Sequence, residues 1–120
     1  MTMSNVKSPI DWQELLTLTN NNPELAKELL GMFANELPTM RDAINAAHQK
    51  QDYTLLQELI HKLHGSCCYT GVTQLKALAA ELEDTLKLQQ HGAIGGLMKR
   101  LNHEVNTVLT TIQNQHYLHE

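Results

Sequence analysis

Cysteine is nearly absent from this chain: Cys67 and Cys68 are the only two in 120 residues, and they are adjacent. Neighbouring residues do not easily meet disulfide geometry, so a disulfide framework is excluded and both read as free thiols in a reducing compartment. Positive charge is scarce too. Nine Lys and Arg against thirteen Asp and Glu leave a net charge of −4, which argues against a surface that neutralises nucleic-acid phosphates. No apolar run approaches the ~20 residues of a membrane span. No charged segment followed by an apolar one opens the chain, so the expectation is no secretory signal and a cytoplasmic location. A glycine-rich nucleotide loop is missing, and the length leaves no room for an ATP-binding fold beside a helical domain, so autokinase activity is not expected. Sustained period-two alternation, the mark of half-buried strands, is also missing.

What is present is ordinary for a globular domain: 42% apolar and 18% charged residues in a one-domain length. Residues 1–9 have no period and read as a flexible leader, with the folded domain expected over 10–118. Asp11 is a good N-cap for a short helix carrying Trp12, Leu15, Leu16 and Leu18 across an apolar surface. Asn22-Pro23 opens a long helix to about Lys50, with Leu25, Leu29, Phe33, Leu37, Met40, Ile44 and Ala47 as its buried stripe. Pro38 lies inside it, but the stripe continues in phase, which predicts one helix rather than two.

Asp52 or Thr54 caps a third helix ending near Tyr69, with Gly71 suited to a left-handed exit. A fourth, from about Thr73 to Gln89, carries Leu75, Leu78, Ala79, Leu82 and Leu86. A fifth, from about Ile94 to Tyr117, carries Leu97, Leu101, Val105, Val108 and Ile112. Met32, Met40 and Met98 fit as core gap-fillers. The expected fold is all-α: a monomeric, antiparallel, up-and-down four-helix bundle with a short additional N-terminal helix.

The chemistry concentrates in "HKLHGSCCYTG", residues 61–71. At about 100° per residue, Leu55, Leu56, Leu59, Ile60, Leu63 and Cys67 share one arc that must face the core. His61 falls about 160° from the centre of that arc and points to solvent. Gly65 lies one turn further on, on the same outer face, where a glycine costs about 1 kcal/mol relative to alanine. Its use there predicts close approach of another surface to the imidazole. An exposed imidazole, with a reference pKa of about 6.5, is largely neutral and nucleophilic at cellular pH, which suits reversible phosphoryl carriage. Lys62 and His64 flank it and could hold phosphoryl oxygens.

Two other uses of this face compete. His61, His64 and Cys68 fall within about 60° of one another and could ligate a metal. Against that, structural zinc wants four ligands, and His48, His91, His103, His116 and His119 are scattered singly; the expectation is no metal. The same face could also serve a non-catalytic protein-interaction module. The two thiols make no C-x-x-C and carry no redox expectation.

"HKLHGSCCYTG" resembles the phosphorylation motif of histidine-containing phosphotransfer (HPt) domains, commonly His-x-Leu/Ile-Lys-Gly-Ser/Ala followed by a later glycine. The surrounding "IDW", "LLGMFANELPTMRDAI" and "LKALAAELED" fit as well. The resemblance is greatest to the C-terminal HPt modules of BarA-type hybrid sensor kinases, which share "HKLHGSC". It implies a carrier without a cofactor of its own, phosphorylated on His61 and docking through Lys62, His64 and Gly65. It also implies receiver domains as partners, which bring the Mg²⁺ in their acidic pockets. His64 departs from the lysine usual at that position.

Overall fold

The computed structural model describes residues 8–114, which form five α-helices and one turn of 3₁₀ helix. Helix α1 spans Trp12–Leu18, α2 Pro23–Gln49, α3 Tyr53–Cys67, α4 Thr73–Lys87 and α5 Ile94–Asn114. Tyr117, residues 1–7 of the expected leader and residues 115–118 of the expected domain lie outside the described residues. Among the described residues no helix is long and apolar enough to cross a membrane.

Local chemistry sets the helix starts. Asp11, Asn22 and Asp52 each accept a hydrogen bond from the backbone N–H three residues on, at 3.0, 3.1 and 3.2 Å. Asp52, not Thr54, is therefore the cap of α3. Pro23 occupies the first helical position of α2, where its missing N–H costs nothing. Pro38 interrupts no more than one hydrogen bond, and α2 continues through it.

Helices α2 to α5 pack in sequence, each on the next, and α5 closes back on α2. Short connections make this an antiparallel bundle, as the periodicity predicts. Between α2 and α5, the amides of Asn45 and Asn102 donate to each other at 2.9 Å in both directions. Helix α1 packs on α2, and its entry is latched to the α3–α4 turn, where Asp11 N–H donates to Gly71 C=O at 2.7 Å. Gly71 has φ +69°, and a Cβ there would stand 2.8 Å from the Asp11 carbonyl oxygen. Both facts require glycine.

Several side chains depart from the expected stripes. On α2 the buried set begins Ala26, Leu30, Phe33, Leu37, while Leu25 is exposed and Leu29 half-buried. Positions 26, 30, 33, 37, 40, 44 and 47 alternate steps of four and three, which keeps one line on a 3.6-residue helix; steps of four from Leu25 drift off it. Leu18 and Met32 are exposed, while Met98 is buried and Met40 half-buried against the core. On α3 the core face is Leu56, Ile60, Leu63 and Cys67, with Leu55 exposed and Leu59 half-buried. That set turns the arc by about 30° and swings His61 to the seam with α4.

Candidate functional site

The seam between α3 and α4 places His61 against Glu83. The imidazole is 72% exposed, and its Nδ1 lies 2.7 Å from Glu83 Oε2, whose side chain is only 11% exposed. A carboxylate can only accept, so Nδ1 carries the proton and donates, and Nε2 on the opposite ring edge keeps its lone pair. Lys87, one turn beyond Glu83 on α4, brings its ammonium to 3.7 Å from the same Oε2. His61, Glu83 and Lys87 form one chain of alternating character across the seam. Beside them lies a shallow groove of about 320 Å³ lined by Thr54, Gln57, Glu58, His61 and Glu83.

The other expected site residues fall around this centre in different ways. Gly65 is exposed, and a Cβ added to it would meet nothing within 4 Å. The outer face of α3 is therefore open one turn from His61. Lys62 is exposed, about 100° round the helix from His61. His64 is half-buried and lines a separate hollow nearer α1. Cys68 turns its thiol back onto the His64 carbonyl at 3.4 Å. His61, His64 and Cys68 are not gathered into a ligand set: among the described residues no group of three or more His, Cys, Asp or Glu side chains could hold a metal. Cys67 is buried, and burial, with Cys68 beside it, pushes its thiol up to about 12 against the pull of Lys76. That thiol is packing, not chemistry.

Glu83 and Lys87 are the residues that the sequence pattern did not single out. A signal existed. Glu83 sits between Ala79 and Leu86 at i−4 and i+3, so it borders the apolar arc of α4, where a carboxylate needs a partner.

An all-helical bundle with an outward imidazole oriented by a carboxylate from the neighbouring helix defines a class of phosphoryl carriers. The family model described as "Hpt domain" matches residues 28–114, and the chain belongs to that family, the histidine phosphotransfer modules of two-component phosphorelays. Over 83 residues, 69% of this chain, it is 35% identical to the signal transduction histidine-protein kinase BarA of Escherichia coli K12. Over 96 residues, 80% of this chain, it is 34% identical to the sensor histidine kinase GacS of Pseudomonas protegens. It spans only 9% and 10% of the length of those two relatives. A crystal structure of the HPT domain from a Shewanella sensor hybrid histidine kinase superposes with a TM-score of 0.82 at 31% identity, covering 88% of this chain and 92% of that one.

Proposed function

We propose that His61 is the residue that carries the phosphoryl group, taking it from the aspartyl phosphate of one receiver domain and passing it to the aspartate of another. The observation that carries this reading is the 2.7 Å contact from His61 Nδ1 to Glu83, which fixes the tautomer and leaves Nε2 the nucleophile on an exposed ring. In the forward step the Nε2 lone pair attacks phosphorus. An N–P bond forms, the P–O bond to the aspartyl oxygen breaks, and the receiver's carboxylate leaves with that electron pair. The Nδ1 proton stays in place, so the phosphorylated ring carries a positive charge that faces the Glu83 carboxylate. In the return step a second aspartate attacks phosphorus and the N–P electrons go back to Nε2. The transferring group needs positioning and charge neutralisation more than covalent help.

Several further assignments belong to this reading. The module begins near Ile10, so that α1 is part of it, and extends to about residue 118. It acts as a monomer without autokinase activity, in the cytoplasm, on receivers of response regulators or of a hybrid kinase. Lys62 lies beside the site, His64 one turn on, and Gly65 leaves the approach clear.

The test is phosphorylation of the purified chain by a phosphorylated receiver and, separately, by phosphoramidate. His61→Gln should abolish acceptance from both while far-ultraviolet circular dichroism stays helical. The label on the wild type should be acid-labile and alkali-stable, as a phosphoramidate linkage is. Glu83→Gln keeps an acceptor for Nδ1–H and loses the counter-charge. Glu83→Ala loses both and should be the slower variant, by up to about 10²-fold. Phosphate recovered on His64, or retained in His61→Gln, overturns the assignment.

A further inference from the structure

The seam beside His61 continues toward the C-terminus of α3. One turn beyond, a second hollow of about 310 Å³ is lined by His64, by Glu14 of α1 and by Thr73, Lys76, Ala77 and Ala80 of α4. Lys76, Ala80, Glu83 and Lys87 follow at steps of four, three and four, so they make one stripe of α4 along this seam. Cations therefore stand on both sides of Glu83, and they are not equivalent. Lys87 is drawn to Glu83 at 3.7 Å. Lys76 has no carboxylate within 4 Å of its ammonium among the described residues, although Glu14 shares its hollow. Its charge is felt across the seam at Cys67, where it opposes the dominant effect of burial on that thiol. Ala77 and Ala80 keep the wall low, so a partner surface can reach the ammonium.

We propose that Lys76 is the docking cation of the transfer: beside the His64 ring at the α1 end of the α3–α4 seam, its ammonium draws in the receiver's anionic aspartyl phosphate before that group meets His61. This rests on the reading of His61 as the acceptor. An unpaired ammonium beside a half-buried imidazole attracts an anion without first breaking an ion pair of its own. It acts over a distance of about a Debye length, on encounter rather than on the bond-making step.

The experiment is phosphotransfer from a phosphorylated receiver over a range of receiver concentrations and salt, with Lys76→Gln, Lys76→Arg and the double variant His64→Lys/Lys76→Gln. Lys76→Gln should raise the KM for the phosphorylated receiver by up to about 5-fold at low salt, the upper end for one exposed charge contact. It should leave kcat nearly unchanged and flatten the salt dependence. Lys76→Arg should behave as wild type, and His64→Lys should restore Lys76→Gln by returning a charge to the same hollow from α3. Phosphorylation by phosphoramidate should change little. An unchanged KM and salt slope in Lys76→Gln overturns the proposal while His61 stands. So does an equal loss with both donors, or a KM as high in Lys76→Arg and in the double variant as in Lys76→Gln. A wild type that takes no phosphoryl group even from phosphoramidate removes the reading beneath it.

Discussion

At position 65 the missing side chain leaves the outer face of α3 open one turn from His61. Because a Cβ there meets nothing, Gly65→Ala should be neutral or slightly stabilising, by up to about 1 kcal/mol. Gly65→Gln should also fold, yet slow transfer from a phosphorylated receiver by on the order of 10²-fold, since about 1 Å of misplacement can cost that much. Phosphoramidate needs no docking and should lose much less; equal loss with both donors would show that Gly65 serves the imidazole or the helix itself. The outward placement of His61 and Gly65 was legible because one helix wheel holds both. Glu83 was not, because no wheel of α3 tells which residue of α4 will face it. The 30° turn of the α3 core arc is the missing quantity, and it depends on how Leu56, Ile60 and Leu63 pack against the other helices.

Among the elements, the turns hold the left-handed residues of the described backbone. Gln51 and Gln89 follow α2 and α4 with φ of 56° each, a left-handed conformation that costs a residue with a Cβ about 1–2 kcal/mol. Gln51→Gly should raise stability by about 0.5–1 kcal/mol after the extra freedom of the unfolded glycine is counted. Gly71→Ala should do the reverse, by about 2 kcal/mol or more, because it adds a Cβ against the Asp11 carbonyl oxygen as well as the strain. Thermal midpoints of the two variants check both signs. Asp11, Asn22 and Asp52 announced their helices through backbone chemistry that needs no tertiary contact. The slip from Leu25 to Ala26 was less legible. A leucine outweighs an alanine in any apolar count, and only the continuous step of four and three along α2 puts Ala26 in line.

For the whole molecule, a buried carboxyl on α5 weighs against the fold. Glu104 on α5 is 8% exposed, and its Oε2 is buried without a hydrogen-bond partner. Burial raises its pKa from the ordinary 4.5, with His103 beside it pulling the other way. Lys99, Arg100 and His103 from α5, with Gln74 and Leu78 from α4, line the hollow it shares. A carboxyl whose folded pKa is raised supports the fold while it is neutral, below its unfolded pKa. That support is lost as the pH rises through the folded value. Glu104→Gln should therefore match the wild type at acid pH and be the more stable protein near neutrality, by about 1 kcal/mol or more. Denaturant unfolding at several pH values measures the gap, which should open upward from about pH 4.5. Stability equal to the wild type at every pH would mean that the carboxylate finds water when it ionises.

The Glu83–His61 contact also ties the state of the ring to the cohesion of the bundle. On the reading of His61 as the acceptor, phosphorylation at Nε2 leaves a cationic ring that holds Nδ1–H against a nearly buried carboxylate, so α3 and α4 should attract each other more strongly in the loaded carrier. Linkage runs both ways: whatever free energy the N–P bond adds to the seam, the folded seam adds to the equilibrium stability of the N–P bond. Slowed amide exchange along α4 is then a label-free report of whether the carrier is charged.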